Sequence, residues 1–143
     1  MARRDVRPFI YYALDQLFVA VYAYALIAVI PNRLPSAAIH LWAIVAAMQI
    51  MALGTLAIVW PRARPIGRWI ALAGGTLLLA LAIGVIVRVL VSAAFLAGVY
   101  GGFGQAAATF ALVAVALVIE LVALLPLVQI KYLMSRAGRR AYA

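Results

Sequence analysis

The sequence predicts an all-α membrane protein: one domain over 1–143, built as an antiparallel bundle of four transmembrane helices with both termini in the cytoplasm. Three observations lead there. Of 143 residues, 70% are hydrophobic and 10% charged, whereas soluble domains hold about 45–50% and about 25%. The apolar residues fall into four long runs parted by proline, glycine or charge. The basic residues, 12 against 3 acidic, gather beside alternate ends of those runs. A water-soluble globule is thereby excluded. The formal charge of +9 would suggest nucleic acid in a soluble chain; here it marks topology, so the expected partner is the lipid bilayer and no nucleic acid.

Span 1, residues 9–30, has 22 residues, roughly 33 Å of helix, enough to cross a hydrocarbon core of about 30 Å. It stops at Pro31-Asn32-Arg33-Leu34-Pro35, after which Ser36 is placed to cap the next helix. Span 2, residues 37–60, ends where proline and charge coincide in Pro61-Arg62-Ala63-Arg64-Pro65. Span 3 covers 69–98 and span 4 covers 106–134, with a Gly-rich turn from Gly98 to Gln105 between them. That turn follows no strand, so it is not a phosphate loop or dinucleotide fingerprint. Trp69 to Tyr100 as one helix would extend about 48 Å, so span 3 must tilt, break near Ser92 to Gly98, or protrude and be covered by a partner.

Orientation follows from the cations. Arg3, Arg4, Arg7, Arg62, Arg64, Arg68, Lys131, Arg136, Arg139 and Arg140 fall on one side and Arg33 alone on the other. The positive-inside rule then places the chain in the cytoplasmic (inner) membrane as a multi-pass protein. Tyr11, Tyr12, Trp60, Trp69 and Tyr132 fall at the inner interface, and Trp42, Tyr100 and Phe103 at the outer one. The first apolar run exceeds the about 7–15 residues of a signal-peptide core, so it is expected to stay as an anchor. With no cysteine, disulfide and thiol chemistry are absent.

Few polar residues enter the spans, and those few are the candidates for function. Thr76, Ala80, Gly84, Arg88 and Ser92 recur every fourth residue along span 3, a face expected either to pack closely on another helix or to line a pathway. Arg88 and Glu120 are expected to pair, as are Asp15 and Lys131, because each couple lies at similar depth. Each pair is either a bridge that sets helix register or a site whose carboxylate binds a cation or relays protons, and a basic neighbour argues against proton coupling. Pro126 should kink span 4 by removing an N–H and crowding the carbonyl of Val122. Gln49 and Gln129 are expected to form interhelical hydrogen bonds. The single histidine, His40, rules out bis-histidine haem ligation; no cofactor or metal is expected.

No catalytic constellation is visible, and an enzyme is not expected. Two functional classes remain. One is an oligomeric channel or transporter subunit that moves an ion or small solute, with Asp15, Arg88 and Glu120 lining or gating it. The other is a non-catalytic accessory subunit that scaffolds a larger membrane complex. The first is preferred, with a homo-oligomer or other membrane subunits as partners.

Overall fold

The computed structural model describes the backbone of residues 5–29 and 35–143, and the side chains of these except at 25, 29, 35–38, 89, 92, 93, 96, 100, 104, 107, 111 and 114–122. Every regular element among the described residues is helical: α1 (Arg7–Tyr24) runs into a wider π turn (Ala25–Val29), α2 (Pro35–Leu56) into a 3-10 turn (Ala57–Val59), and α3 (Arg64–Met134) is followed by a short α4 (Arg136–Ala141). Three of these helices are long and apolar enough to cross a membrane, over Arg7–Ala28, Ile39–Val59 and Arg64–Arg88. The stretch Ala123–Met134 is a shorter apolar helix.

The starts and stops follow local chemistry. Asp5 accepts the backbone N–H of Arg7 at 3.1 Å, and Pro8 sits in the first turn, where its missing N–H costs no helical bond. The described part of α2 starts at Pro35, so Ser36, expected as a cap, has a helical backbone; proline's fixed φ suits a first helical turn. Leu56 to Trp60 tightens and then extends before Pro61, where the chain cannot continue as helix.

The element α3 is not one straight rod. Arg68 Nε donates to the Leu133 carbonyl at 2.8 Å across 65 residues of sequence, which a continuous helix would hold about 98 Å apart. The chain therefore folds back inside α3, and the break is at Gly101, whose φ of 61° and ψ of −143° are the non-helical values within it. Glycine lacks the Cβ that penalises a positive φ. The expected Gly-rich turn contracts to one residue, giving two helical arms, 64–100 and 102–134; the backbone stays helical through Ser92 to Gly98, so the first arm keeps its excess length, about 55 Å.

The helix α2 packs on both α1 and the first arm of α3. Ile44, Ala47, Met48, Met51 and Leu78 are buried together, with Phe18, Val19, Tyr22, Leu81 and Val85 against them. The seam between α2 and α3 is narrow because glycines face each other: a Cβ added at Gly54 would lie 2.4 Å from the Ala71 nitrogen and 2.6 Å from the Gly67 oxygen, and one at Gly74 would lie 2.6 Å from the Met51 nitrogen. In lipid, where burial of apolar surface drives little, such close approach is what gives two helices their attraction. The expected packing face is not the one that makes this seam. Thr76, Ala80 and Gly84 are exposed, and a Cβ at Gly84 would meet nothing within 4 Å. The working face is Gly67, Ala71, Gly74 and Leu78, the other side of the same helix. The Ser92 side chain lies outside the described residues.

A second cluster of Ile58, Ala71, Tyr132, Leu133 and Tyr142, with Tyr11 of α1 and Ala141 of α4 against it, closes one end of the bundle. Ser135 leaves the helical conformation, and its hydroxyl accepts the Gly138 N–H at 3.2 Å to start α4. Gly138 is pressed against the Tyr132 carbonyl, where a Cβ would lie 2.1 Å away. The last helix is thereby turned back onto the bundle, and Tyr142, 1% exposed, donates its hydroxyl to the Thr55 carbonyl at 2.7 Å.

Candidate intramembrane polar site

Two of the polar residues that the bundle encloses, Asp15 and Gln129, meet each other. Seven residues separate Pro8 from Asp15 and seven separate Gln129 from Arg136, so both side chains sit about 10 Å from the charged end of their helices. Gln129 Nε2 donates to Asp15 Oδ1 across α1 and the second arm of α3. Asp15 is 0% exposed and Gln129 1%. Pro126, also fully buried, stands one turn before Gln129. On the next residue of α1, Gln16 Nε2 donates to Gln49 Oε1 of α2 at 3.2 Å.

Two acceptor atoms in this site have no partner: Asp15 Oδ2 and Gln129 Oε1. Buried polar atoms are nearly always bonded, so a pair of orphans on two touching side chains is a chemical signal and not a packing accident. The expected Asp15–Lys131 pair does not form. Lys131 is exposed, because two residues along a helix turn the side chain by about 200° and Gln129 takes the inward position. The expected interhelical roles of Gln49 and Gln129 are both realised.

Nearer the charged end lies a second layer. Tyr11 and Tyr132 pack with ring centroids 5.5 Å apart, and the Arg7 guanidinium lies 4.6 Å over the Tyr132 ring. The Tyr132 hydroxyl donates to Asp5 Oδ2 at 2.7 Å. Arg7 bonds Asp5 through both Nε and Nη2 at 3.0 Å. That bonding, helped by the Tyr132 hydroxyl, holds the Asp5 carboxyl at about 2, below its ordinary 3.8. Burial pushes the Tyr142 hydroxyl up, so it stays a donor to Thr55.

At the other end of α2, Arg88 Nη1 lies 2.7 Å from His40 Nε2. Arginine has no acceptor, so Nε2 accepts and the imidazole carries its proton on Nδ1. These two line a groove of about 250 Å³ with Ala80, Leu81, Gly84 and Val85. The expected pairing of Arg88 with Glu120 falls outside the described residues, since the Glu120 side chain is among those not described. Sequence reasoning missed the His40–Arg88 contact and the Gln16–Gln49 bond, although a depth count along spans 2 and 3 puts His40 and Arg88 both near the outer ends.

Among the described residues, no group of three or more His, Cys, Asp and Glu side chains is placed to hold a metal ion. No family model, no curated protein and no solved structure matches the chain.

Proposed function

We propose that this chain is a polytopic protein of the cytoplasmic membrane, crossing it four times with both termini inside, that serves as a channel or transporter subunit for an ion or small solute and acts as an oligomer. The observation that carries this reading is Asp15. It is wholly enclosed, bonded to an amide and not to a base, with one carboxylate oxygen and the neighbouring amide oxygen unbonded. An ionisable group kept inside a membrane bundle without an ion-pair partner costs stability, and such groups mark ion paths and relays. A register-setting bridge to Lys131 was the competing explanation for Asp15, and Lys131 is turned outward.

The test is cation and solute flux in proteoliposomes. Wild-type flux that is lost in Asp15→Asn and Gln129→Leu, while both variants keep their assembly mass in detergent, supports the reading. Absence of wild-type flux under every imposed gradient overturns it. Reporter tags at the two ends test the sidedness separately: both should be reachable only from the cytoplasm.

The accessory-subunit reading keeps one specific support. The arms of α3 expose Phe95, Phe103 and Phe110 around and beyond the Gly101 break, with Phe103 92% exposed. Co-purification in fixed stoichiometry with a different membrane protein, and no flux, would favour it.

A further inference from the structure

We propose that Asp15 and Gln129 form a binding site for a single proton, carried on Asp15 Oδ2 and donated to Gln129 Oε1, so that acid and amide are joined by two reciprocal hydrogen bonds. This deepens the transport reading and rests on it for its biological meaning, by naming the cation the site holds.

The argument is an inventory of donors and acceptors. An ionised carboxylate only accepts, and a primary amide brings two N–H donors and one acceptor oxygen. With Gln129 Nε2 donating to Asp15 Oδ1, the remaining oxygens are Asp15 Oδ2 and Gln129 Oε1, both acceptors, both buried and both unbonded. Two acceptors cannot satisfy each other. One hydrogen on Oδ2 makes that atom a donor and leaves Oε1 as its acceptor, and both orphans are then accounted for. The proton comes from a hydronium ion of the bulk, which is left as water, the Gln129 Nε2–Asp15 Oδ1 bond stays in place, and the site passes from an anion to a neutral pair.

A metal cation fits less well. Hard cations such as calcium take six to eight oxygens, and an amide N–H aimed at the carboxylate occupies part of the shell such an ion needs. The polar groups nearest the pair in each element are engaged elsewhere: Gln16 of α1 with Gln49 of α2, Thr55 of α2 with the Met51 carbonyl, Arg68 of the first arm of α3 with the Leu133 carbonyl, and Tyr132 of the second arm with Asp5. Lys131 faces away. The Tyr11–Tyr132 pair stands one turn nearer the charged end, between the site and the Asp5–Arg7 pair.

The chain has two aspartates, Asp5 and Asp15, and Asp5 at about 2 is ionised at neutral pH. Infrared spectra of the full chain in lipid vesicles, with carbon-13 at the aspartate carboxyl, therefore isolate Asp15. The expected result at neutral pH in sodium-free buffer is one labelled carboxylic-acid C=O band that shifts in heavy water. It should disappear in Asp15→Asn, and should persist at higher frequency in Gln129→Leu, where the amide bond to it is lost. A labelled spectrum showing only carboxylate bands overturns the proposal. So does an acid band that disappears when sodium, potassium or calcium is added at constant pH, which would make the site a metal site. The wild-type spectrum decides even if a variant misfolds. An acid band without flux refutes the transport reading alone, and flux without the band refutes this inference alone.

Discussion

Substituting alanine at Gly54 and at Gly84 in separate variants should move stability in opposite directions. At Gly54 the new Cβ would sit 2.4 Å from the Ala71 nitrogen and 2.6 Å from the Gly67 oxygen. Ordinary contact needs about 1 Å more, and both obstacles are backbone, so α2 and α3 must part along their closest seam. Overpacking of this kind costs about 1–3 kcal/mol, set against the about 0.5–1 kcal/mol that alanine gains over glycine inside a helix. The net expectation is a loss of about 1–2 kcal/mol. At Gly84 nothing lies within 4 Å of the added carbon, so only the helix term remains and the variant gains about 0.5–1 kcal/mol. The two variants should differ by about 2 kcal/mol, roughly 30-fold in the folded-to-unfolded ratio. Reversible unfolding in mixed micelles with increasing SDS, followed by tryptophan fluorescence, measures this directly. If Gly84→Ala is destabilised as much as Gly54→Ala, the seam runs along the Thr76–Ala80–Gly84 face and the helix rotation described above is wrong.

Further outcomes follow from the termini and the outer groove. Asp5 has its carboxyl held down by Arg7, so its contribution is complete above about pH 4 and is lost as the pH falls through about 2; as an exposed pair it is worth about 1 kcal/mol or less. Asp5→Asn should flatten unfolding midpoints across that window, and an unchanged slope would refute the assignment. Tyr142→Phe removes the hydroxyl bond to Thr55 and should cost about 0.5–1.5 kcal/mol, seen as faster amide exchange in α4 and faster tryptic cleavage after Arg139 and Arg140; equal rates would mean that α4 is not latched by Tyr142. Nitrogen-15 NMR of the single histidine should show the proton on Nδ1, and Arg88→Leu should remove that preference; a wild-type Nε2–H tautomer would contradict the contact between Arg88 and His40.

What the sequence determined by itself was the solvent and the punctuation. Composition pointed to lipid, because 70% hydrophobic and 10% charged residues leave too little polar surface to face water. Proline marked the end of span 2 at Pro61 and the start of the next helix at Pro65 because its effects on φ and the N–H are local. Gln49 and Gln129 were legible as interhelical hydrogen-bond formers because an amide in hydrocarbon must bond to something.

Tertiary structure decided rotation and partnership. Span 3 carries small residues on two faces, and only the matching glycine on α2 selects Gly67, Ala71 and Gly74 over Thr76, Ala80 and Gly84. Depth along the helices allowed Asp15 either Lys131 or Gln129. The choice depends on which side of the second arm faces α1, and that is set by packing 114 residues away in sequence. Glycine content foretold a turn near residue 101, but the fold-back that brings Arg68 to Leu133 is a property of the assembled bundle. Local chemistry acts along the chain and can be read there; the angle of a helix about its own axis is fixed by its neighbours.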